Sequence, residues 1–210
     1  MTALLLNNLK NRLTGPLPGA SAQSRLAPVN RTLVDPAQLK PGEYKPSAVM
    51  VLLYKNAVDE LFFPLIQRME YEGVHSGQIS LPGGKQEKTD PDLEQTAIRE
   101  CCEEIGVEGE MQLLGKLSPL YIPVSGFLVQ PYVSFLNTNS PWFTPQASEV
   151  SAVYSIKLKD LLDDNNLNQG SVKLKDYSVI APYFLLEDKQ VWGATAMILN
   201  EMKALLKPIF

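Results

Sequence analysis

Histidine and cysteine are nearly missing from this chain. Its 210 residues include one histidine, His75, and two cysteines, Cys101 and Cys102, side by side. That supply excludes a zinc site of the Cys/His type. Neighbours on a helix point in different directions, so the two thiols make poor disulfide partners and read as small buried or half-buried groups of a reducing compartment. Positive charge is not in excess either. Lys and Arg number 19 against 23 Asp and Glu, for a net charge of −4, and no global field draws nucleic acid or an anionic membrane. Long apolar runs are lacking as well. The opening Met1-Thr-Ala-Leu-Leu-Leu-Asn-Asn-Leu-Lys turns polar too soon for a signal peptide or a membrane span. The final Lys207-Pro-Ile-Phe210 is not a peroxisomal address of the Ser-Lys-Leu kind. The expectation is a cytoplasmic protein with no nucleic-acid and no membrane partner.

The chain does have the makings of a core. Apolar residues make up 45% and charged residues 20%, as in ordinary globular proteins, and the length suits one domain with an extra arm. Leu4, Leu5, Asn8, Leu9 and Leu13 share a helical stripe that stops before Gly15-Pro16. The following stretch to about Tyr44 is rich in Pro, Ala, Ser and Arg and has no clear period. Residues 1–46 therefore read as an arm laid over the domain or over a partner subunit, and residues 47–210 as the domain.

Within the domain, the apolar runs Ala48–Tyr54 and Leu61–Gln67 predict a hairpin. Gln78–Leu81 predicts a short strand ending at Pro82-Gly83-Gly84. A helix follows, with Asp90 expected as N-cap, Pro91 in the first helical position and Gly106 as the stop. Met111–Leu117, Leu128–Leu136, Val150–Ile156, Val172–Val179 and Pro182–Leu186 predict further strands, and Ala194–Leu206 a closing helix. Strands with two long helices suggest a mixed sheet covered by helices on both faces.

The central helix carries the chemical signal. Leu93, Ala97, Cys101 and Ile105 recur every four residues as its buried stripe. Glu100, Glu103 and Glu104 sit at i, i+3 and i+4 and share another face. Clustered carboxylates repel, by roughly 0.2–0.5 kcal/mol for each like-charge contact on an exposed helix. A solvated acidic face, with Arg99 paired to Glu103 one turn on, is the ordinary explanation. The Pro-Gly-Gly turn upstream favours another. Its glycines let backbone approach a ligand and expose carbonyls. Oxygen-only ligands suit Mg²⁺ or Mn²⁺, which keep several waters and bridge to phosphates. Such a metal supplies the local cation that an acidic chain needs before it can hold a phosphorylated substrate.

This segment resembles the Nudix box, G-x5-E-x7-R-E-U-x-E-E-x-G-U with U bulky and apolar. The match is close over Arg99-Glu100-Cys101-Cys102-Glu103-Glu104-Ile105-Gly106-Val107. The front half departs from it. Fourteen residues separate Gly84 from Arg99, one more than the pattern, and Pro91 stands eight before Arg99, with Asp90 the nearest acid. A longer front half is similar to the coenzyme A pyrophosphatase branch of the family. So are Leu65-Ile-Gln-Arg68, His75-Ser-Gly-Gln-Ile-Ser-Leu-Pro-Gly-Gly84, Pro123-Val-Ser-Gly-Phe127 and Trp192-Gly-Ala-Thr-Ala196. The resemblance covers roughly residues 45–200 and leaves the arm aside.

The resemblance implies a Nudix-type α/β/α sandwich with a mixed sheet. It also implies metal-dependent hydrolysis of a nucleoside diphosphate linkage, with coenzyme A or acyl-coenzyme A giving 3′,5′-ADP and (acyl-)4′-phosphopantetheine. Alternatives are ADP-ribose, nucleotide sugars or dinucleoside polyphosphates as substrate, or a non-catalytic nucleotide-binding regulatory domain. Glu100, Glu103, Glu104 and Gly84 are the implied metal ligands. Glu100, Glu103, Arg99 and Glu149 are the implied catalytic set, with Arg99 orienting the glutamates. The base is a carboxylate of the box or Glu149, which is otherwise a solvated loop acid. Arg68, Lys85, Gly84 and Phe127 are implied substrate contacts. His75 reads as structural, bonding nearby backbone or Gln78, with acid–base work as the alternative. Trp142 and Phe143 read as loop anchors, with base stacking as the alternative, and Trp192 reads as core. The partner is a small-molecule nucleotide, and a homodimer is compatible with the sequence.

Overall fold

The computed structural model describes residues 2–29, 31, 33–69, 76–173 and 178–210. His75 lies outside the described residues. Helix α1 is Thr2–Leu13, and the one-turn α2 is Ala20–Gln23. Strands β1 (Lys45–Lys55), β2 (Leu61–Arg68), β3 (Ile79–Ser80) and β4 (Gly83–Lys85) lead into α3, Leu93–Ile105. Then come β5 (Met111–Lys116), β6 (Leu120–Ile122), β7 (Phe127–Asn139), β8 (Val150–Lys157) and α4 (Leu158–Leu162). Strands β9 (Leu167–Lys173), β10 (Ser178–Leu186) and β11 (Lys189–Trp192) precede the closing helix α5, Gly193–Leu206.

The main sheet is mixed. β1 runs parallel to β7 from Lys45↔Phe127 onward, while β2, β4 and β5 make antiparallel pairs with β1 or β7. A smaller antiparallel sheet runs β11-β10-β9. β1 is covered on both faces, which explains its near-continuous apolar run. Ala48, Met50, Leu52 and Tyr54 pack with Ala97, Cys101 and Ile105 of α3. Val51 and Leu53 point the other way, into a core shared with Leu5, Leu9 and Leu13 of α1 and with Met197, Ile198 and Met202 of α5. The α/β/α sandwich follows from that alternation.

Several boundaries differ from expectation. Asp92 caps α3, its Oδ1 accepting from Gln95 N at 2.9 Å, so the helix starts two residues after Pro91. Gly106 ends it as predicted, in the left-handed region at φ 59°. The single strand expected over Val172–Val179 is the end of β9 and the start of β10, which pair with each other. β6 and α4, of three and five residues, are too short to show a period.

Candidate active site

Two glycines bring sheet and helix together. β4 pairs with β1 through Ala48↔Gly84 and Val49↔Gly83. A Cβ on Gly83 would meet Ala48 O at 2.3 Å and Val49 Cα at 2.5 Å, and its φ of +150° belongs to glycine. A Cβ on Gly84 would lie 2.4–2.5 Å from the carboxyl group of Glu100. The bare backbone thus makes the cradle into which the α3 carboxylate fits.

Glu104, one turn on, is 1% exposed. Its Oε2 accepts from Gly83 N at 2.7 Å. Its Oε1 has no hydrogen-bond partner, and Arg68 Nη1 stands 3.4 Å from it. Burial pushes this carboxyl up to about 7. Arg68 and the Gly83 amide oppose the shift, while Glu100 and Glu149 add to it. Glu100 is raised as well, first by burial, with Arg99 opposing and Glu103 and Glu149 reinforcing.

Arg99 organises the outer flank. Its Nε and Nη2 grip Asp90 as a fork at 2.8 and 2.9 Å, Nη1 reaches Glu100 at 3.0 Å and Glu103 at 2.9 Å, and Nη2 donates to Lys85 O at 3.3 Å. The guanidinium holds Asp90 well below the usual carboxylate range. Asp90 is therefore the partner of Arg99 rather than the helix cap. It stands one residue further from Arg99 than the box pattern, at the end of a turn closed by Asp90 N donating to Glu87 O at 3.2 Å.

The loop carrying Glu149 hangs on the C-terminal end of α3. Thr144 N donates to Ile105 O at 2.9 Å and Gln146 N to Glu104 O at 3.1 Å, satisfying carbonyls that the helix leaves unpaired. This docking brings Glu149 close enough to Glu100 and Glu104 to influence both. Phe143 anchors the loop edge-on against Tyr54 at 5.4 Å, while Trp142 is 87% exposed.

These elements wall a cavity of about 750 Å³. Arg68, Gly84, Lys85, Glu100, Phe127 and Glu149 all line it. Glu104 sits behind Gly83, and Glu103 lies on the flank, half-exposed and tied to Arg99. Two parts of the lining escaped the sequence reading. Trp192, expected in the core, is half-buried and faces the cavity with Gly193–Thr195 at the start of α5. Pro28, Val29 and Arg31 enter from the N-terminal segment.

The donor set fits a hard divalent cation. It offers only oxygens, one of them the buried Oε1 of Glu104, which has no hydrogen bond and only the Arg68 ion pair, and a glycine cradle that brings backbone beside Glu100. Among the described residues no three acids close on one point as a finished coordination sphere; Arg99 bridges Glu100 and Glu103, and Arg68 pairs with Glu104. A cation would offset the burial, and the lesser repulsion between acids, that raise Glu104 and Glu100. Among the described residues, no helix is long and apolar enough to cross a membrane.

The NUDIX domain family model matches residues 44–176. "Nudix hydrolase 15, mitochondrial" of Arabidopsis thaliana is 31% identical over 183 residues, 84% of this chain and 62% of that protein. The "Uncharacterized Nudix hydrolase NudL" of Salmonella paratyphi B is 34% identical over 139 residues, 66% of this chain and 71% of its own length. This chain thus spans less than two thirds of the Arabidopsis relative. Among solved structures, a MutT/nudix family protein from Enterococcus faecalis superposes with a TM-score of 0.52 at 19% identity, covering 78% of this chain and 62% of that one. The M. smegmatis Nudix hydrolase RenU gives 0.51 at 12%, covering 88% and 96%. At such identities the two structures speak for the fold alone. Family model and sequence relatives speak for more: the chain belongs to the Nudix family of hydrolases.

Proposed function

We propose that this protein hydrolyses a nucleoside diphosphate linkage with Mg²⁺ or Mn²⁺, and that its substrate is coenzyme A or an acyl-coenzyme A. The observation that carries the reaction class is the buried Glu104 carboxylate, whose Oε1 has no hydrogen bond and only the Arg68 ion pair, behind a glycine cradle that holds Glu100, at the wall of a 750 Å³ cavity. Glu100, Glu103, Glu104 and the Gly84 carbonyl would hold the cation. The bound cation supplies charge neutralisation at the diphosphate and activation of the attacking water.

The chain's own residues do the rest. Arg99, locked by Asp90, orients Glu100 and Glu103. Arg68 balances Glu104 at the cavity wall. Glu149 takes the proton as the water oxygen bonds to phosphorus and the bridging P–O bond breaks, leaving 3′,5′-ADP and (acyl-)4′-phosphopantetheine. Phe127 and Lys85 contact the remainder of the substrate at the same wall. A pure nucleotide binder has no use for a carboxylate raised by burial and, to a lesser degree, by two neighbouring acids, which argues for catalysis.

Substrate choice rests on the longer front half and the upstream signature. The test is a panel of coenzyme A, acyl-coenzyme A, ADP-ribose, nucleotide sugars and dinucleoside polyphosphates, assayed with Mg²⁺ and Mn²⁺ and with products identified by mass. Coenzyme A should lead, with both named products. Preferred turnover of ADP-ribose or a dinucleoside polyphosphate contradicts the substrate assignment, and no turnover of any member contradicts the reaction class.

A further inference from the structure

The N-terminal segment is fixed to the cavity by a buried acid. Glu201 of α5 is fully buried and accepts from Gly19 N at 3.0 Å, Gln23 Nε2 at 2.8 Å and Ser118 Oγ at 2.7 Å. Leu26, 2% exposed, completes the anchor. Beyond it, Val29 N donates to Ile180 O at 3.4 Å, and Arg31 N to Pro28 O at 3.0 Å. The segment is thereby led along the cavity wall, and Arg31 arrives there although it precedes the region matched to the family model.

Arg31 differs from the other arginines of the site. Arg99 has three carboxylates and Arg68 has Glu104. The Arg31 side chain donates from Nη2 to Tyr121 O at 2.9 Å, and its Nε is buried without a partner. Among the described residues no acid faces it, and burial lowers its affinity for its proton. A half-buried guanidinium with a neutral carbonyl and an unused donor is costly unless an anion completes it.

Its place in the sheet says which anion. Gly84 neighbours Ala48, Ala48 neighbours Gln130, and β7 in turn pairs with β6 at Leu128↔Tyr121. Arg31 is bonded to β6, three strand spacings of ~4.8 Å across the sheet and two residues of ~3.4 Å along β7 from the Gly84 cradle, or roughly 16 Å. The acids of the cavity gather at one end, where Arg68 and Lys85 offset them, and Arg31 stands at the other end without an acid. A bare diphosphate clamped at Gly84 does not reach that far. A sugar bearing both a diphosphate and a separate phosphate does.

We infer that Arg31 is a specificity-determining residue that binds a phosphomonoester of the substrate distinct from the diphosphate being cut. This rests on the nucleoside-diphosphate reading above, and for coenzyme A the group is its 3′-phosphate. Arg68, the other arginine of the wall, is committed to Glu104 and acts on every substrate alike.

The test compares coenzyme A with dephospho-coenzyme A in the full-length enzyme and in Arg31→Gln, Arg31→Lys and Arg68→Ala. Gln keeps a donor for Tyr121 O and removes the charge; Lys restores the charge. Loss of one charge-assisted contact should lower kcat/KM of Arg31→Gln on coenzyme A by roughly ten- to a hundredfold, with under about threefold change on dephospho-coenzyme A. Arg31→Lys should recover most of the loss, and Arg68→Ala should lower both substrates equally. Equal losses on both substrates in Arg31→Gln, or no loss, overturn the inference. Binding of 3′,5′-ADP against 5′-AMP by calorimetry separates this from the choice of substrate, since the two ligands differ only in the 3′-phosphate. Were neither form of coenzyme A hydrolysed, the substrate assignment would fall while calorimetry still judged Arg31. Tighter 3′,5′-ADP binding that Arg31→Gln abolishes upholds its role, and equal binding of the two ligands by the unmutated enzyme refutes it.

Discussion

Replacing Gly84 by alanine is a small change with a specific victim. Gly84 does not lie in the left-handed region, so alanine fits the backbone. The atoms nearest the added Cβ are all of the Glu100 carboxyl, at 2.4–2.5 Å. Ordinary contact starts near 3.4 Å, so the carboxylate must retreat by about 1 Å. It stands at the end of a flexible side chain and can do so without disturbing β1 or α3. The fold should survive, with a stability change under about 1 kcal/mol. Turnover should not, because a displacement of that size at a reacting centre costs on the order of 10²-fold. Gly83→Ala is the contrast. There the Cβ strikes Ala48 O and Val49 Cα at a φ reserved for glycine, so β4 itself must move. That variant should lose several kcal/mol of stability along with its activity. Urea unfolding and steady-state kcat at saturating Mg²⁺ read both quantities. Wild-type turnover in a well-folded Gly84→Ala would show that Glu100 has no role in this cradle. Unfolding as severe as that of Gly83→Ala would show that the clash is not relieved by the side chain.

The raised Glu104 has a pH signature. Its folded value, about 7, lies above the ordinary 4.5, so the folded state holds the extra proton between those limits and the group's contribution to stability falls as pH rises through them. With EDTA present, Glu104→Gln should gain on wild type between pH 5 and 8 by on the order of 3 kcal/mol in urea unfolding; a constant difference would contradict the buried-acid account. Glu149→Gln should lower kcat by roughly 10²–10⁴-fold with little change in Mn²⁺ affinity, whereas a small effect would move the base onto α3. Asp90→Asn frees the Arg99 fork and should lower turnover about tenfold while leaving the α3 cap at Asp92 intact, which the circular dichroism signal checks.

Helix α3 was legible because two local signals agree, the four-residue apolar stripe and the glycine stop at Gly106. The spacing of its carboxylates was legible too, but not their separate surroundings: Glu100 lines the cavity, Glu104 is bonded to Gly83 and Glu103 lies half-exposed on Arg99. Choosing the cap was harder. Asp90 is the expected cap, before Pro91, but Arg99, nine residues on, takes Asp90 and the cap falls to Asp92. Arg31 could not be read at all. Its segment has no period, and what places it is Glu201, which in sequence is one more polar residue of the closing helix. Trp192 reads as core because it is large and apolar, yet the turn into α5 leaves one side of it to the cavity. Local patterns thus report the elements, while the wall opposite them depends on long-range contacts that no spacing announces.

The central claim, that the carboxylates of α3 drive hydrolysis of a diphosphate bond, is tested most directly by turnover of Glu103→Gln and Glu104→Gln, singly and together, on the panel substrate that the unmutated enzyme cleaves fastest. Each single substitution should lower kcat by at least ~10²-fold, since each removes a ligand that stabilises transition-state charge, with the far-ultraviolet circular dichroism unchanged. A well-folded double mutant that turns over near the wild-type rate would contradict the account.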